Sequence, residues 1–182
     1  MHLKAVLKMI TRELAARQID FILMGGLSLS TMGVFRFTRD IDFLVYESDA
    51  EAIDNIMTSL DYERQDFSND EIVSYLSQTA AFGQVDFMLA RRKYTRAMMK
   101  NAKEMPIFEG ELSLKTIRPE DLIGLKVQAL VNDPENRSDI DEPDIRRLLR
   151  IHHETLDMKL VREYFRVFDK EDLLDGWLQK IK

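Results

Sequence analysis

Residues 21–46, FILMGGLSLSTMGVFRFTRDIDFLVY, constrain the fold of this chain more than any other stretch. The stretch opens with an apolar run that stops at Gly25–Gly26, and a short helix can follow the glycines. A second apolar run then carries Asp40 and Asp42 with one residue between them. Side chains two residues apart on a β-strand point to the same face, so these carboxylates project together. The stretch therefore predicts a strand, a tight turn, a short helix and a strand with two adjacent carboxylates.

Two adjacent carboxylates repel each other, and an apolar sheet has no need of them. A divalent cation between Asp40 and Asp42 would remove the conflict, because hard cations such as Mg²⁺ prefer carboxylate oxygens. Glycines such as Gly25 and Gly26 let backbone N–H groups approach a phosphate closely. Taken alone, Gly-Gly is usually a turn and Asp-x-Asp a pair of solvated carboxylates. Their combination around one short helix indicates a metal-assisted phosphate site, as in two-metal phosphoryl transfer.

This arrangement resembles the signature of the polymerase-beta-like nucleotidyltransferase superfamily. That signature is an apolar strand, Gly-Gly or Gly-Ser, a short helix, and then Asp, a hydrophobic residue and Asp on the next strand. Gly25, Gly26, Asp40 and Asp42 match it, and Asp86, within QVDFML, matches the third carboxylate on a neighbouring strand. The resemblance implies an α/β (α+β) nucleotidyltransferase fold, in which helices flank a mixed β-sheet and a C-terminal helical extension follows.

The same resemblance implies an NTP substrate and a two-metal site for Mg²⁺, with Mn²⁺ as the alternative ion. Asp40, Asp42 and Asp86 would be the metal ligands and catalytic residues. Asp86 would also accept the proton of the attacking hydroxyl group.

Residues beside the motif extend the predicted nucleotide site. Ser28 follows the glycine pair and would complete the phosphate cradle, and the alternative for it is an ordinary residue at a helix start. Thr38 falls on the strand face of the carboxylates. Arg36 and Arg39 are nearby cations that could touch phosphate or offset the acidic site. The predicted nucleotide contacts in this half of the chain are Gly25, Gly26, Ser28, Thr38 and Arg39.

Lys126 falls on the apolar face of a predicted helix, four residues after Leu122 and three before Ala129. It could snorkel from the edge of that face, or it could point into a cleft toward a nucleotide phosphate. Asp141 and Asp144 bracket the predicted start of the next helix. Their positions favour helix capping by Asp141 and a place in the first turn for Asp144.

The C-terminal half resembles the later motifs of AbiEii-type nucleotidyltransferases, a group that includes abortive-infection and type IV toxin–antitoxin toxins. The resemblance spans about residues 20–150 and implies a catalytic Lys126, with Asp141 and Asp144 as nucleotide-binding residues. The chain departs from the pattern in the Gly-Gly-Leu-Ser that follows its first strand and in being shorter than many such toxins. The matching segments are Arg118-Pro119-Glu120-Asp121-Leu122 with Lys126, and Asp141-x-x-Asp144-Ile145-x-x-Leu148.

We predict a catalytic core over residues 1–117 and a helical part over residues 118–182 that completes the cleft. Residues 61–71 are predicted as a polar connection and residues 132–143 as an acidic linker. The predicted helices are 2–17, 27–32, one containing 52–60, 91–103, 119–131, 143–153, 157–168 and 170–181. The predicted strands are 20–24, 39–46, 72–78, 84–90 and about 112–116.

The net charge of −6 bears on the choice of partners. General DNA binding is not expected, since it depends on neutralising many phosphates. A basic stripe on the predicted helix 91–103 is either solvated or in contact with a triphosphate or a polynucleotide acceptor. The chain has no cysteine and no apolar run of membrane-spanning length, so we expect a cytoplasmic protein without membrane contacts. The members of the stripe are Arg92, Arg96, Lys100 and Lys103.

These observations predict a Mg²⁺-dependent nucleotidyltransferase that moves a nucleoside monophosphate from an NTP to a hydroxyl acceptor. The AbiEii resemblance implies tRNA or protein as the acceptor, a toxin role in a toxin–antitoxin or phage-defence system, and a cognate antitoxin as partner. A small-molecule acceptor, as in the compact aminoglycoside nucleotidyltransferases, is the alternative within the enzyme class. A non-catalytic regulatory or binding module of the same fold is the alternative outside it, ranked lower because all three carboxylates are present.

Overall fold

A computed structural model describes residues 2–65 and 71–181 of the chain. Cα proximity divides the chain into two compact units. The first comprises Met1–Thr31 and Phe35–Ile117, and the second comprises Met32–Val34 and Arg118–Lys182.

The described residues of the first unit form a mixed seven-stranded sheet with helices packed against it. The strand order is β3-β4-β5-β2-β1-β7-β6. The pairs β2–β5 and β1–β7 are parallel, and the other neighbouring pairs are antiparallel. This architecture confirms the predicted fold class. In chain order the elements are α1 (Leu3–Ala16), β1 (Phe21–Met24), α2 (Gly25–Thr31), β2 (Asp40–Tyr46), α3 (Ala50–Ser59), β3 (Tyr62–Gln65), β4 (Ile72–Ser77), β5 (Gln84–Ala90), α4 (Lys93–Asn101), β6 (Lys103–Ile107) and β7 (Leu112–Thr116).

One face of the central strands forms the apolar core of this unit. On β2, Ile41, Phe43 and Val45 are fully buried, in one cluster with apolar residues of α1 and α3. The Phe43 ring stacks on Phe87 of β5 with centroids 5.4 Å apart. Full burial of each such side chain contributes about 1.5–3 kcal/mol. Because strand side chains alternate between faces, this burial leaves the Asp-x-Asp pair of β2 on the opposite face.

Two edge strands differ from the prediction. β3 forms within the segment predicted as a polar connection, and residues 66–70 of that segment lie outside the described residues. β6 begins where the predicted helix 91–103 should end, so Lys103 lies on a strand and the predicted basic stripe does not follow one helix. Both strands are held by antiparallel pairing with one neighbour. β3 carries mostly polar side chains, and β6 is only five residues long with a proline in it. Because short edge strands are held mainly by backbone hydrogen bonds, their sequences show little apolar periodicity, and the prediction did not detect them.

The described residues of the second unit form four helices. They are α5 (Pro119–Asn132), α6 (Pro134–His152), α7 (Met158–Val167) and α8 (Glu171–Ile181). α5 packs against α6 and α7, and α8 packs against the same two helices. Across the described part of the chain, every helix is too short or too polar to span a bilayer. The fully buried apolar residues of this unit include Ile123, Ile145, Leu148, Leu149, Val161, Phe165 and Leu174.

The predicted acidic linker 132–143 is wrong, because α6 begins at Pro134. Asp133 occupies the N-cap position and accepts a hydrogen bond from the Asn136 backbone N–H. Proline is well suited to the first turn, where its missing N–H would have no helical partner. Pro143, the predicted helix start, lies inside α6 instead.

Gly124 lets α5 and α7 approach closely. A Cβ atom on Gly124 would lie 2.7 Å from Cγ of Tyr164. The Tyr164 hydroxyl donates a hydrogen bond of 2.7 Å to Asp121, whose carboxylate also accepts one from Arg118. Burial and the Asp121 hydrogen bond raise the pKa of Tyr164 well above its usual range. The ring is thus anchored at its far end and has little freedom to move away.

We expect Gly124→Ala to destabilise the protein, although glycine-to-alanine changes inside helices usually stabilise by about 0.5–1 kcal/mol. The added methyl group overpacks the Tyr164 ring, at a cost of about 1–3 kcal/mol. Thermal unfolding followed by circular dichroism measures the change. The matched control is Gly176→Ala in α8, where nothing lies within 4 Å of an added Cβ, so the usual stabilisation is expected. Equal effects of the two changes would contradict the predicted clash.

Candidate active site

Three carboxylates converge on the face of the sheet opposite the core. Asp40 and Asp42 lie on β2 and Asp86 lies on β5, and the parallel register pairs Asp42 directly with Asp86. One ligand oxygen from each side chain lies within 4.8 Å of the other two, and all three residues are partly buried. The structure therefore brings together the three predicted metal ligands. Among the residues that the structure describes, this is the one group of three or more acidic or histidine side chains with spacing suited to a metal ion.

Gly25 lies against the second of these carboxylates. β1 pairs with β2 so that Met24 is opposite Asp42, and the chain turns at the next residue. A Cβ atom on Gly25 would lie 1.9 Å from Asp42 Oδ2, and the φ angle of Gly25 is +65°. Both the contact and the backbone conformation therefore require glycine at this position.

Gly26 and Thr38 form the neighbouring corner of the site. A Cβ atom on Gly26 would lie 2.6 Å from Thr38 Oγ1 and 3.0 Å from a guanidinium nitrogen of Arg36. The Thr38 hydroxyl donates a hydrogen bond to Asp40 Oδ1, which orients the first carboxylate. A cavity of about 490 Å³ opens here. Its lining includes Gly26, Ser30, Arg36, Phe37, Thr38, Arg39, Gly83 and Gln84.

Ser28 is buried away from the cavity, whereas Arg39 lies at its exposed edge. Ser28 is fully buried, and its hydroxyl donates a hydrogen bond of 2.8 Å to the Gly25 carbonyl. Its side chain thus stabilises the turn, and Ser30 lines the cavity in its place. Arg39 is exposed, with its guanidinium carbon 5.6 Å from the centroid of the Phe37 ring. Nucleotide binding stays a prediction for Gly25, Gly26, Ser28, Thr38 and Arg39.

Gln84 is a site residue that the sequence analysis missed. It precedes Asp86 by two positions on β5 and lies opposite Asp40 in the register. Its Nε2 donates to both carboxylate oxygens of Asp86, at 2.9 and 3.0 Å. The amide therefore orients the third carboxylate and places partial positive charge beside the acidic group. Gln84 could have been found from the sequence, because residues two positions apart on a strand point to the same face, and Gln84 precedes Asp86 by two.

The three later site residues lie together in the helical unit. The Lys126 ammonium on α5 lies 2.6 Å from Asp141 Oδ1 and 2.9 Å from Asp144 Oδ2, both on α6. Each of the three residues is at least nine-tenths buried. The predicted capping role of Asp141 and Asp144 is wrong, because both lie inside α6 and pair with the lysine. Lys126 is likewise buried rather than snorkelling at the edge of its helix. The cluster ties α5 to α6, and its predicted catalytic and nucleotide-binding roles stay predictions.

We expect Gly25→Ala to disturb the carboxylate group directly. The new Cβ would displace the Asp42 side chain, so divalent-ion affinity should fall along with stability. Calorimetric titration with Mn²⁺ and thermal unfolding measure the two effects. Gly110→Ala is the control, since its φ of +88° imposes similar backbone strain while nothing lies within 4 Å of an added Cβ. Unchanged Mn²⁺ affinity in Gly25→Ala would contradict the predicted displacement.

We expect Lys126→Met to destabilise the protein by about 3–5 kcal/mol, because it removes the buried cation that Asp141 and Asp144 share. Chemical denaturation measures the loss. Replacing the whole cluster, as Lys126→Met with Asp141→Leu and Asp144→Leu, should recover most of it, since apolar replacement of a buried ion cluster is often neutral. The exposed Lys159→Met on α7 is the control and should stay within about 0.5 kcal/mol. If the Lys126→Met protein were as stable as this control, Lys126 would have no role in packing α5 against α6.

Solved structures share the fold of this chain. The antibiotic-resistance factor ANT(2'')-Ia superposes with a TM-score of 0.66 at 13% identity, covering 100% of both chains. The lincosamide antibiotic adenylyltransferase LnuA, in its lincomycin-bound form, gives 0.58 at 14% identity, covering 81% of this chain and 96% of its own. An antigenic nucleotidyltransferase-like protein from Paracoccidioides brasiliensis gives 0.56 at 17% identity, covering 98% and 92%. At these identities the likeness shows the fold alone.

A match to a protein family identifies more than the fold. Residues 3–176 match the family described as "Nucleotidyl transferase of unknown function (DUF2204)". No curated protein matches the chain. The match confirms the nucleotidyltransferase part of the resemblance found in the sequence, while the AbiEii-type part stays a prediction. Because the match covers nearly the whole chain and includes the three converging carboxylates, the chain is an enzyme that belongs to the DUF2204 nucleotidyl transferase family.

Proposed function

We propose that the chain is a Mg²⁺-dependent nucleotidyltransferase that moves a nucleoside monophosphate from an NTP to a hydroxyl group of an acceptor. The observation that carries this proposal is the convergence of Asp40, Asp42 and Asp86 beside the Gly25–Gly26 turn. The donor set consists of carboxylate oxygens only, which suits hard cations such as Mg²⁺ or Mn²⁺. Asp40, Asp42 and Asp86 would hold the metal ions. When bound, these ions supply Lewis-acid polarisation of the phosphoryl oxygens and offset their charge.

The chain's own residues position the reactants. In the transfer, the acceptor oxygen bonds to the α-phosphorus, and the bond from that phosphorus to the oxygen bridging the β-phosphate breaks, releasing pyrophosphate. The hydroxyl proton goes to a carboxylate, a role that we assign to Asp86, whose orientation is held by Gln84. Gly25 leaves room for the Asp42 carboxylate, and Gly26 leaves room for the Thr38 hydroxyl and the Arg36 guanidinium, so these groups lie close to the turn. Catalysis of this kind depends mostly on positioning and electrostatic stabilisation.

The cavity beside the carboxylates favours an anionic acceptor. Its lining includes two arginines, Arg36 and Arg39, and no acidic side chain among the described residues. This charge suits tRNA, which with protein is the acceptor class that the AbiEii resemblance implies. We include a toxin role with a cognate antitoxin in the proposal, and growth arrest on expression that Asp42→Ala abolishes would support it.

A small-molecule acceptor is the second candidate. Structural neighbours of similar size include ANT(2'')-Ia in complex with adenylyl-2''-tobramycin, at a TM-score of 0.67 and 14% identity, covering 92% of this chain and 98% of the neighbour. The net charge of −6 would attract a cationic aminoglycoside, whereas the arginines at the cavity would oppose it. Incubation of α-labelled NTPs with total RNA, cell protein and an aminoglycoside panel distinguishes the acceptors. Label in the drug fraction alone would exclude the RNA and protein acceptors.

Asp42→Asn tests the metal site. Removing one of three like charges should leave the metal-free protein as stable as wild type or more stable. Wild type should melt a few degrees higher with Mg²⁺ and NTP, since a ligand at a hundredfold excess over its Kd adds about 2.7 kcal/mol. The variant should lose most of that rise and the transfer activity.

The control for this experiment is Asp121→Asn, a structural aspartate that accepts hydrogen bonds from Arg118 and Tyr164. Its replacement should lower metal-free stability and leave the ligand-dependent rise intact. Should Asp42→Asn behave like this control, the central motif is structural and the proposed metal site is wrong. Wild-type protein that is folded and binds no NTP would point to the alternative of a non-catalytic module.

A further inference from the structure

Two phenylalanines in the segment that leads into Asp40 are largely exposed to solvent. Phe35 and Phe37 each expose 79% of their surface, far more than the other large apolar side chains of the described residues, of which the next is Val167 at 53%. Arg39 places its guanidinium over the Phe37 ring. We call Phe35, Phe37 and Arg39 the aromatic ledge. Single exposed apolar residues are common, but two exposed phenylalanines only two positions apart, one of which lines the cavity, indicate a binding surface.

The ledge is tied to the candidate active site by the residues between its members. Phe37 and Arg39 flank Thr38, whose hydroxyl donates to Asp40. Both also line the 490 Å³ cavity that includes Gly26 and Gln84. A ligand stacked on Phe37 would therefore extend directly toward the triad.

The chemistry of the ledge selects a planar and anionic ligand. Aromatic rings and guanidinium planes both stack on nucleobases, and such stacking tolerates any base. Arg39 already occupies a place over Phe37, and Arg36 adds a second positive charge to the cavity, so a cationic ligand is repelled where a phosphate is attracted. Stacking surfaces next to positive charge are the combination that binds single-stranded nucleic acids.

We propose that the aromatic ledge binds the terminal bases of a single-stranded nucleic-acid acceptor, with Arg36 and Arg39 facing its phosphates. This proposal rests on the proposed function and names the acceptor class of the same site. The terminal hydroxyl oxygen of the strand bonds to the α-phosphorus of the NTP, pyrophosphate leaves, and the hydroxyl proton goes to a triad carboxylate. The net charge of −6 disfavours general binding to nucleic-acid phosphates, so a local contact of this kind is what binding would depend on.

Fluorescence anisotropy with labelled twelve-residue RNA and DNA strands tests the ledge without requiring turnover. We expect wild type to bind at least one of the two strands. Phe35→Ala and Phe37→Ala should each weaken binding by about tenfold or more, as stacked aromatics do. Phe37→Trp should restore it. Arg39→Gln should reduce the salt dependence by about 0.7 in the slope of log K against log salt.

Val167→Ala, which truncates an exposed apolar residue of α7, is the control and should bind as wild type does. Because the ledge is exposed, circular dichroism should show unchanged folding for every variant. Equal binding by the alanine variants and wild type would overturn the proposal, as would a wild type that binds neither strand. A changed oligomeric state of the Phe variants in light scattering would instead identify the ledge as an interface between copies.

A separate measurement distinguishes failure of the ledge from failure of the proposed function. NTP binding in the presence of Mn²⁺ and no strand should be the same for Phe37→Ala and wild type, and should be lost in Asp42→Asn. Weaker NTP binding by Phe37→Ala would assign the ledge to the base of the donor and overturn its role toward the acceptor. If the folded wild-type protein bound no NTP, the proposed function itself would be refuted.

Discussion

The parallel register of β2 and β5 is the constraint on which the candidate active site depends. It pairs Asp42 with Asp86 and Asp40 with Gln84. The other face of the same two strands is buried, including the stacked rings of Phe43 and Phe87, so a slip by one residue would turn apolar side chains to the site face and carboxylates into the core. The hydrophobic core therefore determines the geometry of the acidic group, although no core residue takes part in the proposed chemistry.

Holding three carboxylates together without a cation is electrostatically unfavourable, and the fold offsets this with polar contacts. Thr38 donates to Asp40, and Gln84 donates to both oxygens of Asp86. Gly25 leaves the space that the Asp42 carboxylate occupies. These contacts hold the oxygens at their positions, so a binding cation would meet a preorganised group. A neutral amide and hydroxyl serve this role without competing as cations for the site.

In the helical unit, buried charged groups are paired with groups of opposite charge. Lys126 lies between Asp141 and Asp144, and Arg118, Asp121 and Tyr164 form a second polar group that anchors a ring against Gly124. Buried ionic groups add little net stability but penalise any arrangement that separates them. Both clusters join α5 to a partner helix and so specify how these helices pack. The lysine that the family resemblance marks as catalytic thus has a structural role in this protein, because it pairs with two buried carboxylates of α6.

The sequence by itself determined the central strands, the glycine turn and the shared face of Asp40 and Asp42, because alternation on a strand and the conformational needs of glycine are local properties. Asp86 was predicted only through the family resemblance, and its position opposite Asp42 depends on the register of β2 and β5. The sequence also indicated α5, from a first-turn proline and an apolar face, and predicted α7 and α8 close to their observed bounds. Only the tertiary structure decided the edge strands β3 and β6, which depend on pairing with a neighbour. The start of α6 at Pro134, by contrast, has local signals in Asp133 and Pro134 that the sequence analysis missed. The tertiary structure likewise decided that Gln84 orients Asp86 and that Asp141 and Asp144 pair with Lys126 instead of capping a helix. These partners are distant in sequence or hidden by polar composition, so burial and register, rather than local pattern, select them.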